Sequence, residues 1–227
     1  NFYKAIRESV NTYFYTFSRE VGIEKFAEIA TEFGLGERSG IDIPGEEKGV
    51  VPTPEWKMKR FNQKWLPGDL VNMSIGQGYV LTTPLQVLMV YQGIANKGVM
   101  YKPTVVDKFV SFDGKVENKE PEVLRKLPFK PENIEIMREA LKEPVNKPGG
   151  TARILYFPNI PVSAKTGTAQ NTGFKDHHSW LAGYFPSDNP EIVFISLVEG
   201  GGYGGVASGD LVRKFIIKYN EKYNIAQ

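Results

Sequence analysis

Val162-Ser163-Ala164-Lys165-Thr166-Gly167-Thr168-Ala169-Gln170 sets a cation, two hydroxyls and a glycine in consecutive positions of a strand-like stretch. Alternation along a strand puts Thr166 and Thr168 on one face, about 7 Å apart. Two hydroxyls at that spacing, next to an ammonium and a residue without Cβ, form a seat for a carboxylate that an extended ligand can approach closely. The same residues also fit an edge strand of small polar side chains with one solvated lysine. Context elsewhere in the chain has to choose.

Around this stretch the last third of the sequence is β-rich. Residues 161–170 read as one strand, Ser179 to Phe185 as a second and Ile192 to Val198 as a third, with Ser187-Asp188-Asn189-Pro190 as a tight turn. The third is apolar on both faces and is expected to be central in its sheet and covered on both sides. Gly200 to Gly205 reads as a mobile loop near the site, and Asp210 to Tyr223 as a closing helix.

Upstream, Phe2, Ile6, Val10, Tyr13 and Phe17 recur at helical spacing, giving one helix or two short ones over residues 2–18. Ser9 and Asn11 flank Val10 there. On a continuous helix their side chains diverge by about 200°, so convergence requires a break near residue 10. A helical stripe at Phe26–Phe33 is followed by an irregular Gly/Pro-rich excursion, with residues 55–75 ambiguous. Thr83-Pro84-Leu85-Gln86 is a capping-box start for a helix that runs to about Asn96. Residues 103–112 alternate as a strand before the Asp113-Gly114 turn. A helix from Pro131 is expected to end before Pro144, and the glycine-rich loop 146–151 ends at a cap, Thr151. Three antiparallel strands joined by short turns, with helices before and after, make an α+β fold in one domain.

Bulk properties exclude several functions. A net charge of +2 among 227 residues, with no basic run, gives no reason to expect nucleic acid as a partner. The chain has no cysteine, so disulfides and thiolate metal sites are out. No apolar run approaches the roughly 18 residues that a membrane-spanning helix needs. His177 and His178 are adjacent and point to opposite strand faces, so no metal is expected, and no cofactor is called for. Gly76-Gln77-Gly78 lacks the third glycine and the strand–glycine–helix layout of a nucleotide loop. The chain begins at Asn1 and enters an apolar-periodic pattern at once, which reads as a piece of a longer protein.

Lys165-Thr166-Gly167 on a strand, with Ser9-Val10-Asn11 far upstream and a helix at the C-terminal end, resembles the penicillin-recognising serine acyltransferases. Their motifs are S-x-x-K, S-x-N and K-T-G. Ser9 to Tyr15, Ile75 to Gln86 (I-G-Q-G-Y-V-L-T-T-P-L-Q) and His178 to Pro186 (H-S-W-L-A-G-Y-F-P) are similar to the elongation-type class B transpeptidases within that family. The first motif is missing: no serine here is followed three positions on by lysine. The resemblance therefore implies that residues 1–227 are the C-terminal portion of a transpeptidase domain, incomplete at its N-terminus and inert by itself.

The resemblance also implies roles. Ser9 sits between the lysine of the missing motif and Lys165 and passes protons toward the leaving amine. Asn11 holds the substrate amide, and Lys165 supplies positive potential. Thr166 and Thr168 bind the terminal carboxylate, Gly167 lets the substrate lie along the strand, and the Thr168 backbone N–H is one oxyanion donor. The implied partners are the D-Ala-D-Ala stem peptide of peptidoglycan, β-lactam antibiotics and a glycan-polymerising membrane protein. The implied location is the extracytoplasmic face of the inner membrane, through an anchor outside this chain. A β-lactamase or carboxypeptidase of the same fold, and a non-catalytic β-lactam sensor, are the alternatives.

Overall fold

The computed structural model describes residues 1–171, 173 and 175–225. Two helices, α1 (Phe2–Glu8) and α2 (Asn11–Val21), replace the continuous option, and the break falls at Ser9 and Val10. α3 (Ile23–Glu32) follows, and Gly34 and Gly36 take left-handed φ values of 82° and 80° where it stops. The ambiguous stretch 55–75 resolves into α4 (Pro54–Phe61) and α5 (Pro67–Met73). They are tied by an almost fully buried ion pair, Lys57 Nζ to Asp69 Oδ2 at 2.6 Å. The same oxygen accepts from the Leu66 N–H at 2.7 Å, so one carboxylate fixes both the start of α5 and its angle to α4.

α6 (Pro84–Ala95) begins with the capping box that the sequence predicts. The Thr83 hydroxyl accepts from Gln86 N, and Gln86 Oε1 accepts from Thr83 N. Gln86 is fully buried. Its Nε2 donates to the carbonyls of Glu37 and Lys48, which pins the irregular excursion onto the helix start.

The strand expected over 103–112 is shorter. Pro103 has no N–H to give a ladder, and the backbone reaches strand geometry only at β2 (Lys108–Val110), which pairs with β3 (Val116–Asn118) around the Asp113-Gly114 turn. A separate pair, β1 (Val99–Tyr101) with β4 (Val123–Lys126), escaped the sequence reading because both strands are so short. α7 (Pro131–Asn146) does not end before Pro144 but runs through it. Pro144 falls in the last turn, and its carbonyl accepts from Ala152 N at 3.0 Å, so the chain turns back there with its acceptor satisfied.

The main sheet has the order β5-β6-β7, all antiparallel, from β5 (Ser163–Ala169), β6 (His178–Phe185) and β7 (Ile192–Val198). Its register sets Lys165 opposite Ala182, Gly167 opposite Trp180 and Thr168 opposite Ser179. α8 (Ala207–Tyr223) covers one face, where Val162, Ala164, Leu181, Phe185, Val212 and Ile216 form the main core. On the other face Tyr184 and Val193 pack against Ile94 and Ala95 of α6 and Leu141 of α7. Helices on both faces of a small antiparallel sheet confirm the α+β expectation.

One expectation fails. Among the described residues β7 is not central: it is an edge strand, paired only to β6. α6 and α8 cover its two faces, which accounts for its apolar pattern, while its outer edge lies in an apolar groove with Leu88, Leu211 and Phe215. Leu211 and Phe215 are about half exposed beside that edge.

Candidate active site

The kink between α1 and α2 sets the first half of the site. Ser9 adopts a left-handed conformation (φ 56°, ψ 50°), and both its N–H and that of Val10 bond to the Ala5 carbonyl. Val10 is extended, and α2 starts at Asn11. α1 packs on α7, and the Arg7 carbonyl accepts from Thr151 N at 3.1 Å. So placed, the Ser9 hydroxyl accepts a hydrogen bond from Lys165 Nζ at 2.8 Å. Asn11, two residues on at the start of α2, is exposed. Its carboxamide has no hydrogen-bond partner among the described residues.

β5 supplies the second half. It is the other edge strand of the sheet, so among the described residues its outer side has no strand partner. Lys165 shares a face with Gly167, Trp180 and Ala182 towards α6, and its ammonium curls to the edge to donate to the Thr166 carbonyl at 2.8 Å. Burial pushes the Lys165 ammonium down to about 8, because the charged form loses solvation there. A nearby anion reverses that effect, so the site is preset to gain from a carboxylate.

Thr166 and Thr168 lie together on the opposite face, as alternation requires. The Thr166 hydroxyl donates to Thr151 Oγ1 at 2.9 Å. The Thr168 hydroxyl accepts from Gly204 N at 2.7 Å and keeps its own proton to donate. Gly205 has φ 86°, and a Cβ there would come within 2.6 Å of Thr166 Cγ2, so the chain passes over the threonines only as glycine. The glycine loop is anchored by Gly202 N to the His177 carbonyl at 2.9 Å and Gly200 N to His178 Nδ1 at 3.1 Å. The histidine pair thus serves the loop. Gly167 leaves space that Trp180 bounds: an added Cβ would sit 3.2 Å from Trp180 Cβ.

A groove of about 470 Å³ runs along the α6-facing side of β5, between Lys165, Gly167 and Trp180 and the turn at Gly76, Gln77 and Val80. Gln77 crosses it, and its Nε2 donates to the Thr168 carbonyl at 3.0 Å. Sequence reasoning gave Gln77 and Thr151 no role at the site, and read Gly204 only as part of the 200–205 loop. The only sequence signal for Gln77 was a polar residue between two glycines. Gly76 and Gly78 have φ 75° and 72°, the left-handed values that such a turn needs.

Residues 1–216 match the family model described as "Penicillin binding protein transpeptidase domain". The peptidoglycan D,D-transpeptidase MrdA of Escherichia coli K12 is 32% identical over 236 residues, covering 95% of this chain and 36% of that protein. Among solved structures, the complex between penicillin-binding protein PBP2 and MreC from Helicobacter pylori matches with TM-score 0.84 and 36% identity, over 99% of this chain and 41% of that one. Penicillin-binding protein 3 of Mycobacterium tuberculosis, complexed with aztreonam, matches with TM-score 0.81 and 28% identity, over 99% and 52%. The chain thus spans about a third of the curated relative's length.

Proposed function

The chain belongs to the penicillin-binding protein transpeptidase family, and from that premise we propose that it is the C-terminal portion of a D,D-transpeptidase domain that cross-links peptidoglycan stem peptides and is acylated by β-lactams. The observation that carries the proposal is the Ser9–Lys165 hydrogen bond at an open strand edge flanked by two threonine hydroxyls.

In this reading a serine outside residues 1–227 attacks the carbonyl between two terminal D-alanines. Its proton goes to a neighbouring base, the carbonyl oxygen takes up the charge, and collapse of the tetrahedral intermediate expels D-alanine. Ser9, held by Lys165, hands a proton to the leaving amine. Asn11 faces the substrate amide. Lys165 stabilises the terminal carboxylate, and the hydroxyls of Thr166 and Thr168 orient it. The Thr168 N–H is one oxyanion donor, worth about 2.7–4 kcal/mol of barrier in comparable sites. Gly167 lets the peptide add to β5 as a further strand. An amine of a second peptide then takes the acyl group and releases the serine.

The family resemblance extends the proposal. The whole protein works on the extracytoplasmic side of the inner membrane, anchored outside residues 1–227, beside a glycan-polymerising membrane partner. Within this chain, no described helix is long and apolar enough to cross a membrane.

The test is covalent labelling. The chain extended upstream to the length of its relatives should form a stable adduct with a fluorescent penicillin, and the 227-residue chain should form none. An extended chain that stays unlabelled would sink the proposal. Rapid turnover of a chromogenic cephalosporin would turn it into a β-lactamase.

A further inference from the structure

The Thr168 carbonyl points away from the sheet, because its partner, Gln77 Nε2 at 3.0 Å, belongs to a turn 91 residues earlier in the chain. A peptide that adds to the outer edge of β5 needs this acceptor: strand addition works by main-chain N–H groups meeting outward carbonyls. In this structure the carboxamide of Gln77 already occupies it. We infer that Gln77 is a placeholder for the substrate backbone, donating to the Thr168 carbonyl until the amide N–H of the incoming peptide replaces it. This inference rests on the transpeptidase reading and adds a positioning residue to it.

The turn is built for the purpose. Gln77 N donates to the Asn72 carbonyl at 3.0 Å and Gly76 N to the Met73 carbonyl at 2.9 Å, so the backbone is locked to the end of α5. α5 is in turn fixed by the buried Lys57–Asp69 pair. Displacement then requires only side-chain rotation. A carboxamide also keeps an acceptor and a second N–H, so once displaced it can bond the peptide that replaced it. In this structure it gives the strand-edge carbonyl of Thr168 a partner.

The test uses the upstream-extended chain, wild type and with Gln77→Ala or Gln77→Met. Its readout is the second-order rate of acylation by benzylpenicillin, which carries an acylamino N–H, and by a penem that lacks one. Removing the competing donor should raise the benzylpenicillin-to-penem ratio about fivefold in both variants, the factor that one net hydrogen bond represents. Gln77→Met keeps the side chain's bulk and guards against loss of packing in the alanine variant. An unchanged ratio, with both reagents slowed or speeded alike, would overturn the inference and leave Gln77 as a prop for the turn. A lowered ratio would also overturn it. No adduct from the wild-type chain with either reagent would instead overturn the transpeptidase reading, and this inference with it.

Discussion

The Ser9 hydroxyl lies 2.8 Å from the Lys165 ammonium across 156 residues of chain. The contact depends on a backbone conformation that serine rarely takes, so conformation and chemistry can be separated by substitution. Glycine accepts φ 56° without a Cβ penalty, and alanine does not. Ser9→Ala should be about 1 kcal/mol less stable than Ser9→Gly by urea midpoint. Both should cut β-lactam acylation of the extended chain by about 10²–10⁴-fold, the range of a proton-transfer group. A Ser9→Gly variant that is acylated at the wild-type rate would remove Ser9 from the proton path.

Burial holds the Lys165 ammonium down to about 8, against its ordinary 10.5. Between those values the unfolded chain keeps a proton that the folded chain has lost, so stability should rise with pH through that window. The destabilisation is present in full below about 8. Urea midpoints from pH 7.5 to 10 should show the rise, and Lys165→Met should flatten it. Affinity for a terminal carboxylate should run the other way and weaken above pH 8, where the free site loses its cation. A carboxylate ligand whose affinity is flat from pH 7 to 10 would contradict the role given to Lys165.

Lys57 and Asp69 are the buried ion pair that sets α4 against α5. Removing one charge strands the other, so Lys57→Met should cost about 3–5 kcal/mol. Removing both in Lys57→Met/Asp69→Leu should recover part of that loss, but not the Leu66 N–H bond that Asp69 also accepts. Chemical denaturation of the two variants measures the difference.

At Gly204, a Cβ would overlap the Gly167 carbonyl oxygen and come within 2.9 Å of the Thr168 hydroxyl. Gly204→Ala should lift the 200–205 loop off β5 and free the N–H that now bonds Thr168. Faster amide hydrogen exchange confined to that loop, with an unchanged urea midpoint, is the expected signature.

What could be read from side-chain pattern was read: the α1–α2 break from Ser9 and Asn11, the start of α6 from Thr83-Pro84-Leu85-Gln86, and Thr166 and Thr168 on one face of β5. What failed depended on main-chain groups far apart in sequence. Alternation reports which faces of β7 are covered, but not whether its edge has a partner, so a strand between α6 and α8 looked central. Pro144 looked like a stop because the carbonyl bond to Ala152 that closes the helix has no side-chain signature. Gln77 bonds a carbonyl that any residue at position 168 would supply, so nothing in the sequence pairs the two.

The open side of β7 has a practical consequence. A seven-residue apolar strand that has no strand partner on its outer edge among the described residues, with Leu211 and Phe215 half exposed beside it, is a template for a neighbouring molecule's backbone. Handled alone at high concentration, the chain should associate edge to edge before it unfolds. Leu211→Lys, at a side chain already half exposed beside that edge, should act as a gatekeeper and keep preparations monodisperse.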